Sequence, residues 1–415
     1  MSLKLIRMDD KNESIKFIDK VLIFVQLLTY MIPAIESDKY IYLFVLIFVT
    51  IRGLLILASY HKIGTFYEKW LMLFVSSLFI TGILGINIAN SLDLYKTIGI
   101  RVVFIWYIFL VIHTVDDINL IIKYYIAANI IMLLFIIFNV SVGDLIHTKL
   151  GSEVLGKDWN ANSIGFTLAV SMALLFYLRN RHRKSKKLFC TILMFIMGVF
   201  LIITQSKTSI LSIFTSILVY LYVKNRKKTL YFLKRFFFIS IVLYFLLQMP
   251  YVQENIVSHF IGAFKTILDR NSDENIADRS SYIRIMMIQC GINWFKSRPI
   301  LGYGISNYSI LFAKTPINIY GAGGTYSHNN YIELLVCTGI IGFMVYYSIY
   351  MIVIRKLAVK KNETAYLLIA ILIMFLVTDI SRVSYYSVHN LLFVTLASKI
   401  VSINGVRKSS VLKLR

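Results

Sequence analysis

Long apolar runs alternate with short polar connections along nearly the whole chain. The runs fall at about 21–35, 40–58, 70–89, 97–113, 119–140, 162–178, 188–204, 208–223, 231–249, 329–353, 364–380 and 384–402. Each is close to the roughly 20 residues an α-helix needs to cross a bilayer core. Apolar side chains occupy all sides of these runs rather than one stripe, as expected where lipid surrounds the helix. The pattern predicts an all-α polytopic membrane protein of about twelve transmembrane helices, a single integral membrane unit over residues 1–415. The first run follows Lys20 and has the length of a secretory leader. No small-residue cleavage site follows it, and a second run begins almost at once, so it is read as a retained span.

One connection breaks the rhythm. Residues 250–328, between predicted spans nine and ten, are too many for a simple connector. Within them Ile256, Val257, Phe260, Ile261, Phe264, Ile267 and Leu268 recur at helical spacing and predict an amphipathic helix. A polar break from Asp269 to Asp278 follows, and Asp278 or Ser280 can cap a second helix running to about Lys296. Pro299 ends it, and a loop with Gly321, Gly323 and Gly324 leads to His328. Such helices suit the membrane face, as a lid over a site or as a packed cap.

Composition agrees with the pattern. The chain is 58% hydrophobic and 16% charged, against roughly 45–50% and about 25% in a soluble domain. The net charge of +23 would suggest nucleic acid in a soluble protein. Here the basic residues cluster in the short loops, at 179–187, at 224–228, at Arg355, Lys356, Lys360 and Lys361, and in the C-terminal tail. With the N-terminus in the cytoplasm, all these clusters share the cytoplasmic side, as the positive-inside rule requires. That places both termini in the cytoplasm and 250–328 outside, and no nucleic-acid partner is expected. The three cysteines show no metal or disulfide spacing. No Walker motif is present, which argues against an ATP-driven pump.

Several polar residues could carry chemistry. His328 lies where the long loop meets a span, and an ordinary histidine titrates near pH 6.5 and can accept a proton from a hydroxyl. It could equally anchor a helix start. Arg284 and Arg279 lie on the second loop helix, and arginine offers a planar fork that fits phosphate oxygens; a solvated helix face or a lipid contact would explain them too. Lys207 sits in a polar turn, Thr204 to Ser209, between two apolar runs, where a cation is a functional candidate by default. Asp158-Trp159-Asn160 precedes the sixth span, with Trp159 as an interfacial anchor and Asn160 as a ligand for sugar hydroxyls. Glu36 and Asp38 could hold a divalent metal in the first outside loop, though a solvated turn accounts for so short a pattern.

From Asp278 to Gly342 these residues form an ordered series: Arg284, then Pro299-x-x-Gly302-x-Gly304, then His328-Asn329, then a span with Gly339 and Gly342. The Gly-x-Gly is not a nucleotide loop, which needs a preceding strand. The series resembles the O-antigen ligases and Wzy-type polysaccharide polymerases. The resemblance implies a glycosyltransferase at the outer face of a bacterial cytoplasmic (inner) membrane, taking an undecaprenyl-pyrophosphate-linked oligosaccharide as donor. It implies catalytic roles for His328, Arg284 and Lys207, substrate contacts from Arg279, Asn329 and Asn160, and neither metal nor cofactor. Lys207 departs from the arginine that many family members carry, keeping the charge but losing the fork. Membrane lipid, a chain-length regulator and a flippase are the implied partners. Polymerase is the first reading, favoured by a Lys-, Ile-, Asn- and Tyr-rich composition that hints at an AT-rich genome, since some organisms of that kind lack lipid A. The alternatives are an O-antigen ligase acting on lipid A core, a flippase for lipid-linked oligosaccharide, and a scaffold in an export complex.

Overall fold

The computed structural model describes residues 15–33, 39–60, 64–148, 150–225, 279–318 and 324–412, together with positions 234 and 238. Among these residues the fold is helical and contains no strand. The helices are α1 (Phe17–Met31), α2 (Lys39–Tyr60), α3 (Phe66–Ile83), α4 (Ile88–Val111), α5 (Val115–Asn139), α6 (Val142–His147), α7 (Ser152–Leu155), α8 (Ala161–Arg181), α9 (Lys184–Ile203), α10 (Lys207–Lys224), α11 (Arg279–Ser297), α12 (Tyr308–Ala313), α13 (Asn330–Ala358), α14 (Glu363–Thr378) and α15 (Val388–Leu412). Among the described residues seven helices, α3, α4, α5, α8, α9, α10 and α13, are long and apolar enough to cross a membrane. The predicted runs at 40–58, 364–380 and 384–402 fall on shorter apolar stretches, Leu43–Ala58, Glu363–Thr378 and Val388–Ile403. The run at 231–249, the amphipathic helix at 256–268, and Glu36 and Asp38 lie outside the described residues.

Polar caps set the helix ends. Thr65 with Glu68, and Thr114 with Asp117, form capping boxes at the starts of α3 and α5, each satisfying backbone N–H groups that the helix leaves unpaired. The interior is apolar and close-packed, with α8, α10 and α14 at its centre. α9 lies outside them and exposes Leu188, Phe189 and Phe195, the surface expected of a helix bathed in lipid.

The bundle has two unlike ends. At one, α8 finishes at Arg179 and Arg181, α10 at Lys224 and α13 at Arg355 and Lys356. Lys224 pairs with Glu363 at 2.6 Å, and the hydroxyls of Tyr177 and Thr364 lie 2.9 Å apart, tying the start of α14 to this basic end. α8, α10, α13 and α15 all begin at the opposite end.

The Pro299–Gly304 segment has a structural task. α13 breaks at Gly339, whose φ is 63°. The break removes the turn that would pair the amides of Ile340 and Ile341 with the carbonyls of Val336 and Cys337. The loop supplies all four partners. Ile340 and Ile341 donate to the carbonyls of Pro299 and Ile300 at 2.8 and 3.4 Å. Tyr303 and Gly304 donate to the carbonyls of Val336 and Cys337 at 2.9 and 2.8 Å. A buried helix break would otherwise leave these groups unsatisfied. The glycines follow from the closeness of the two backbones: a Cβ at Gly302 would meet the Val336 carbonyl, and one at Gly339 the Ile300 carbonyl. Both glycines have positive φ. Gly339→Ala should therefore cost more than the ~1–2 kcal/mol of a left-handed alanine. A thermal melt of purified protein in detergent should show a large drop, and an unchanged midpoint would mean that the break is not rigid.

Candidate active site

A cavity of about 280 Å³ opens at the end where α8, α10, α13 and α15 begin. Asn160 and Ser163 of α8, Thr208 of α10, His328 just ahead of α13, and Val388 and His389 of α15 line it, facing the end of α1 at Tyr30 and Met31. Helix N-termini carry a partial positive charge and unpaired N–H groups. The first turns of three, α8, α10 and α15, line this one cavity, so its polar end favours an anion before any side chain is counted.

His328 is the residue most constrained by its surroundings. Its φ is 53°, a left-handed conformation uncommon outside glycine and a recurrent mark of functional sites. The turn that imposes it is held on both sides. Ser327 N donates to the buried Glu333 carboxylate at 2.8 Å, and Ser327 Oγ donates to the Asn329 carbonyl at 2.7 Å. Asn330 N donates to the Asp379 carbonyl at 2.8 Å. The imidazole leans on Tyr326, ring centroids 4.3 Å apart. Burial, and then the charge of Arg284, push the imidazole from its ordinary 6.5 down to about 4. At neutral pH it is uncharged and free to accept a proton.

Arg284 acts on His328 from α11. Ile283 and Met287 of that helix pack with Tyr308, Phe312, Ile332 and Val336 in a second apolar cluster against α13, and the Tyr308 hydroxyl donates to the Met287 carbonyl at 2.7 Å. The same packing therefore fixes Arg284 and the start of α13. Arg279 is the first residue of α11, five positions earlier. Lys207 is the first residue of α10, after the Ser206 cap. It is the neighbour of Thr208, which lines the cavity, but does not line the cavity itself.

The two asparagines do something the sequence reading did not foresee. Asn329 is the cap of α13, its Oδ1 accepting from Ile332 N at 3.1 Å. Asn160 is the cap of α8, its Oδ1 accepting from Asn162 N at 2.9 Å. Both oxygens are committed to helix starts. Asn160 also lines the cavity. Asn before an apolar run is a capping signal in its own right, and it was legible.

The structure adds residues that sequence reasoning missed. Arg101, inside α4, and Arg382, in the turn between α14 and α15, both line the cavity with His389. Arg101 Nη1 donates to the Tyr386 carbonyl at 2.8 Å. Arg382 lies 3.7 Å over the Phe166 ring and donates to Ser387 Oγ at 3.4 Å. Asn330 and Asp379 bind this turn to the start of α13. Asn330 Oδ1 accepts from Ser384 N and Tyr385 N at 2.8 and 3.0 Å, and Asp379 accepts from Ser384 Oγ, Tyr347 Oη and Asn330 Nδ2 at 2.5, 2.9 and 3.2 Å. One buried network thus holds His328 and Arg382 in register. The charge of Arg101 within an apolar run was the available signal. Among the described residues no cluster of three or more His, Cys, Asp or Glu has the arrangement of a metal site.

Residues 192–347 match the family model Wzy_C, described as O-antigen ligase. The match contains Lys207, Arg284, the Pro299–Gly304 loop, the break at Gly339 and His328. No curated protein matches the chain. The apolar helices and this match together point to a membrane protein whose residues 192–347 are similar to the O-antigen ligase family model.

Proposed function

We propose that this chain, with its O-antigen ligase family region at 192–347, is a membrane glycosyltransferase that joins undecaprenyl-pyrophosphate-linked repeat units into a polysaccharide at the outer face of the cytoplasmic membrane. The observation that carries the reading is a neutral histidine, held in a strained turn at the cavity wall, within the field of an arginine. The His328 imidazole takes the proton of an acceptor hydroxyl as that oxygen attacks the anomeric carbon of the donor. The bond from that carbon to the pyrophosphate oxygen breaks, and the pyrophosphate leaves as an anion. Arg284, through its fork, and Lys207, as a point charge, stabilise the charge on the leaving oxygen. Such an anion needs no proton to leave, so one base suffices.

The description of the matched family favours a second reading, transfer to lipid A core. The two differ in acceptor alone. Reconstituted protein given a lipid-linked donor should elongate a second lipid-linked repeat and leave lipid A core unmodified; the reverse preference would make it a ligase.

The proposed base predicts a pH signature. Burial and Arg284 disfavour the imidazolium, so the empty site keeps its base neutral down to about pH 4. A bound pyrophosphate favours the imidazolium and moves the value upward. In reconstituted transfer, kcat/KM should hold until near pH 4, whereas the acid limb of kcat should lie at higher pH. Coincident limbs, or a limb that survives in His328→Asn, would remove His328 as the base.

A further inference from the structure

We propose that the Arg101–Arg382 end of the cavity is a subsite for an acidic sugar, one whose ring carries a carboxylate or phosphate, lying next to the reacting residue of the glycan. This rests on the transferase reading above and names the substrate class it takes.

Arg101 and Arg382 line the cavity, whereas Arg284 acts from outside its lining. The field of Arg284 falls on His328, whereas the fields of Arg382 and Arg101 fall on His389. Arg382 is prepared for an anion. Its guanidinium carbon lies 3.7 Å from the Phe166 ring centroid, one nitrogen donates to Ser387, and the buried Nη1 has no hydrogen-bond partner among the described residues. A buried donor left unsatisfied is costly, so its occurrence beside a cavity points to a ligand acceptor. The Asp379 carboxylate, which also feels Arg382, is taken up by Ser384, Tyr347 and Asn330. Asp158 reaches the cavity as well but stands exposed. The starts of α8 and α15 add their positive ends.

Size selects the source of the anion. About 280 Å³ is near the lower end of the roughly 300–1,000 Å³ of small-molecule sites. That is room for a sugar ring or two, not for a whole repeat unit and its carrier. If the donor pyrophosphate lies with Arg284, the anion at Arg382 and Arg101 sits on a sugar or on the carrier of the second lipid-linked unit, and competition with pyrophosphate separates the two. The half-buried ring of Tyr386 in the same wall offers apolar surface to a pyranose ring, beside the buried Trp159, which stacks on Phe135.

The test is equilibrium binding to the full chain in nanodiscs, with oligomers of glucuronate, galacturonate and mannuronate, their carboxyl-reduced neutral counterparts, and inorganic pyrophosphate as probes. At least one uronate should bind about 10-fold or more tightly than its neutral counterpart, as a charge-assisted contact would give. Saturating pyrophosphate should leave that affinity within about two-fold. Arg382→Gln should remove the preference, and Arg382→Lys should restore part of it. No preference among the three uronates, or an unaltered preference in Arg382→Gln, would overturn the proposal. So would mutual exclusion of uronate and pyrophosphate, which would mean one anion site belonging to the carrier. The competition uses the unaltered protein and decides the matter even if Arg382→Gln fails to fold. Failure of the transferase reading would show separately, as no glycan transfer by the parent chain given a lipid-linked donor, a measurement that binding does not involve.

Discussion

His328→Ala is expected to lower glycan transfer by about 10²–10⁴-fold at unchanged protein abundance, the usual contribution of a positioned general base. The side chain is half-buried at the cavity wall and leans on the Tyr326 ring. Its removal therefore leaves the second apolar cluster and the Asn330–Asp379 network in place. The backbone is the complication, because φ at this position is 53° and alanine enters the left-handed region reluctantly. His328→Asn separates the two effects. Asparagine tolerates that conformation but has no basic nitrogen. Both variants should lose transfer equally, with His328→Asn melting closer to the parent. If His328→Asn transfers normally, the histidine is a turn residue and not the base.

Arg284 gives the second large effect. Arg284→Ala removes a charge-assisted partner of the leaving pyrophosphate and should lower turnover by about 10²-fold or more, the scale of one lost transition-state donor. Arg284→Lys keeps the charge on the same helix but loses the bidentate fork, so it should fall between the two. Arg284→Ala should also raise the pKa of the His328 imidazole, because one of the two influences that depress it disappears. The acid limb of kcat/KM should therefore move to higher pH in Arg284→Ala, a readout that simple misfolding would not produce. Equal activity of Arg284→Lys and the parent would show that the fork is not used.

The helical runs were legible because an apolar segment that meets lipid on several sides needs no periodic stripe, and polar caps mark its ends. Predicted span 162–178 lies within α8, and span 329–353 runs from the cap of α13, Asn329, into that helix. The site was legible in part. His328 and Arg284 stood out as polar residues at the boundary of an apolar run, and the structure brings the charge of one onto the ring of the other. Arg101 and Arg382 did not stand out, since each is a single charge in or beside an apolar run. Their meaning appears when α4 and the α14–α15 turn converge on one cavity. The glycines were legible as part of the family pattern but not in their physical role. The requirement for Gly302 and Gly339 is mutual. Each is needed because the other backbone is there, and one-dimensional spacing does not show that pairing.

The central claim, that His328 drives glycosyl transfer on lipid-linked glycan, is tested most directly by locating that glycan. A deletion strain is complemented with the parent chain or with His328→Asn, abundance of the two proteins is matched, and polymer and lipid-linked repeats are assayed on each face of the membrane. The account predicts traces of polymer and single repeats accumulating on the outer face, because flipping precedes transfer. Normal polymer with His328→Asn, or repeats stranded on the inner face, would contradict it.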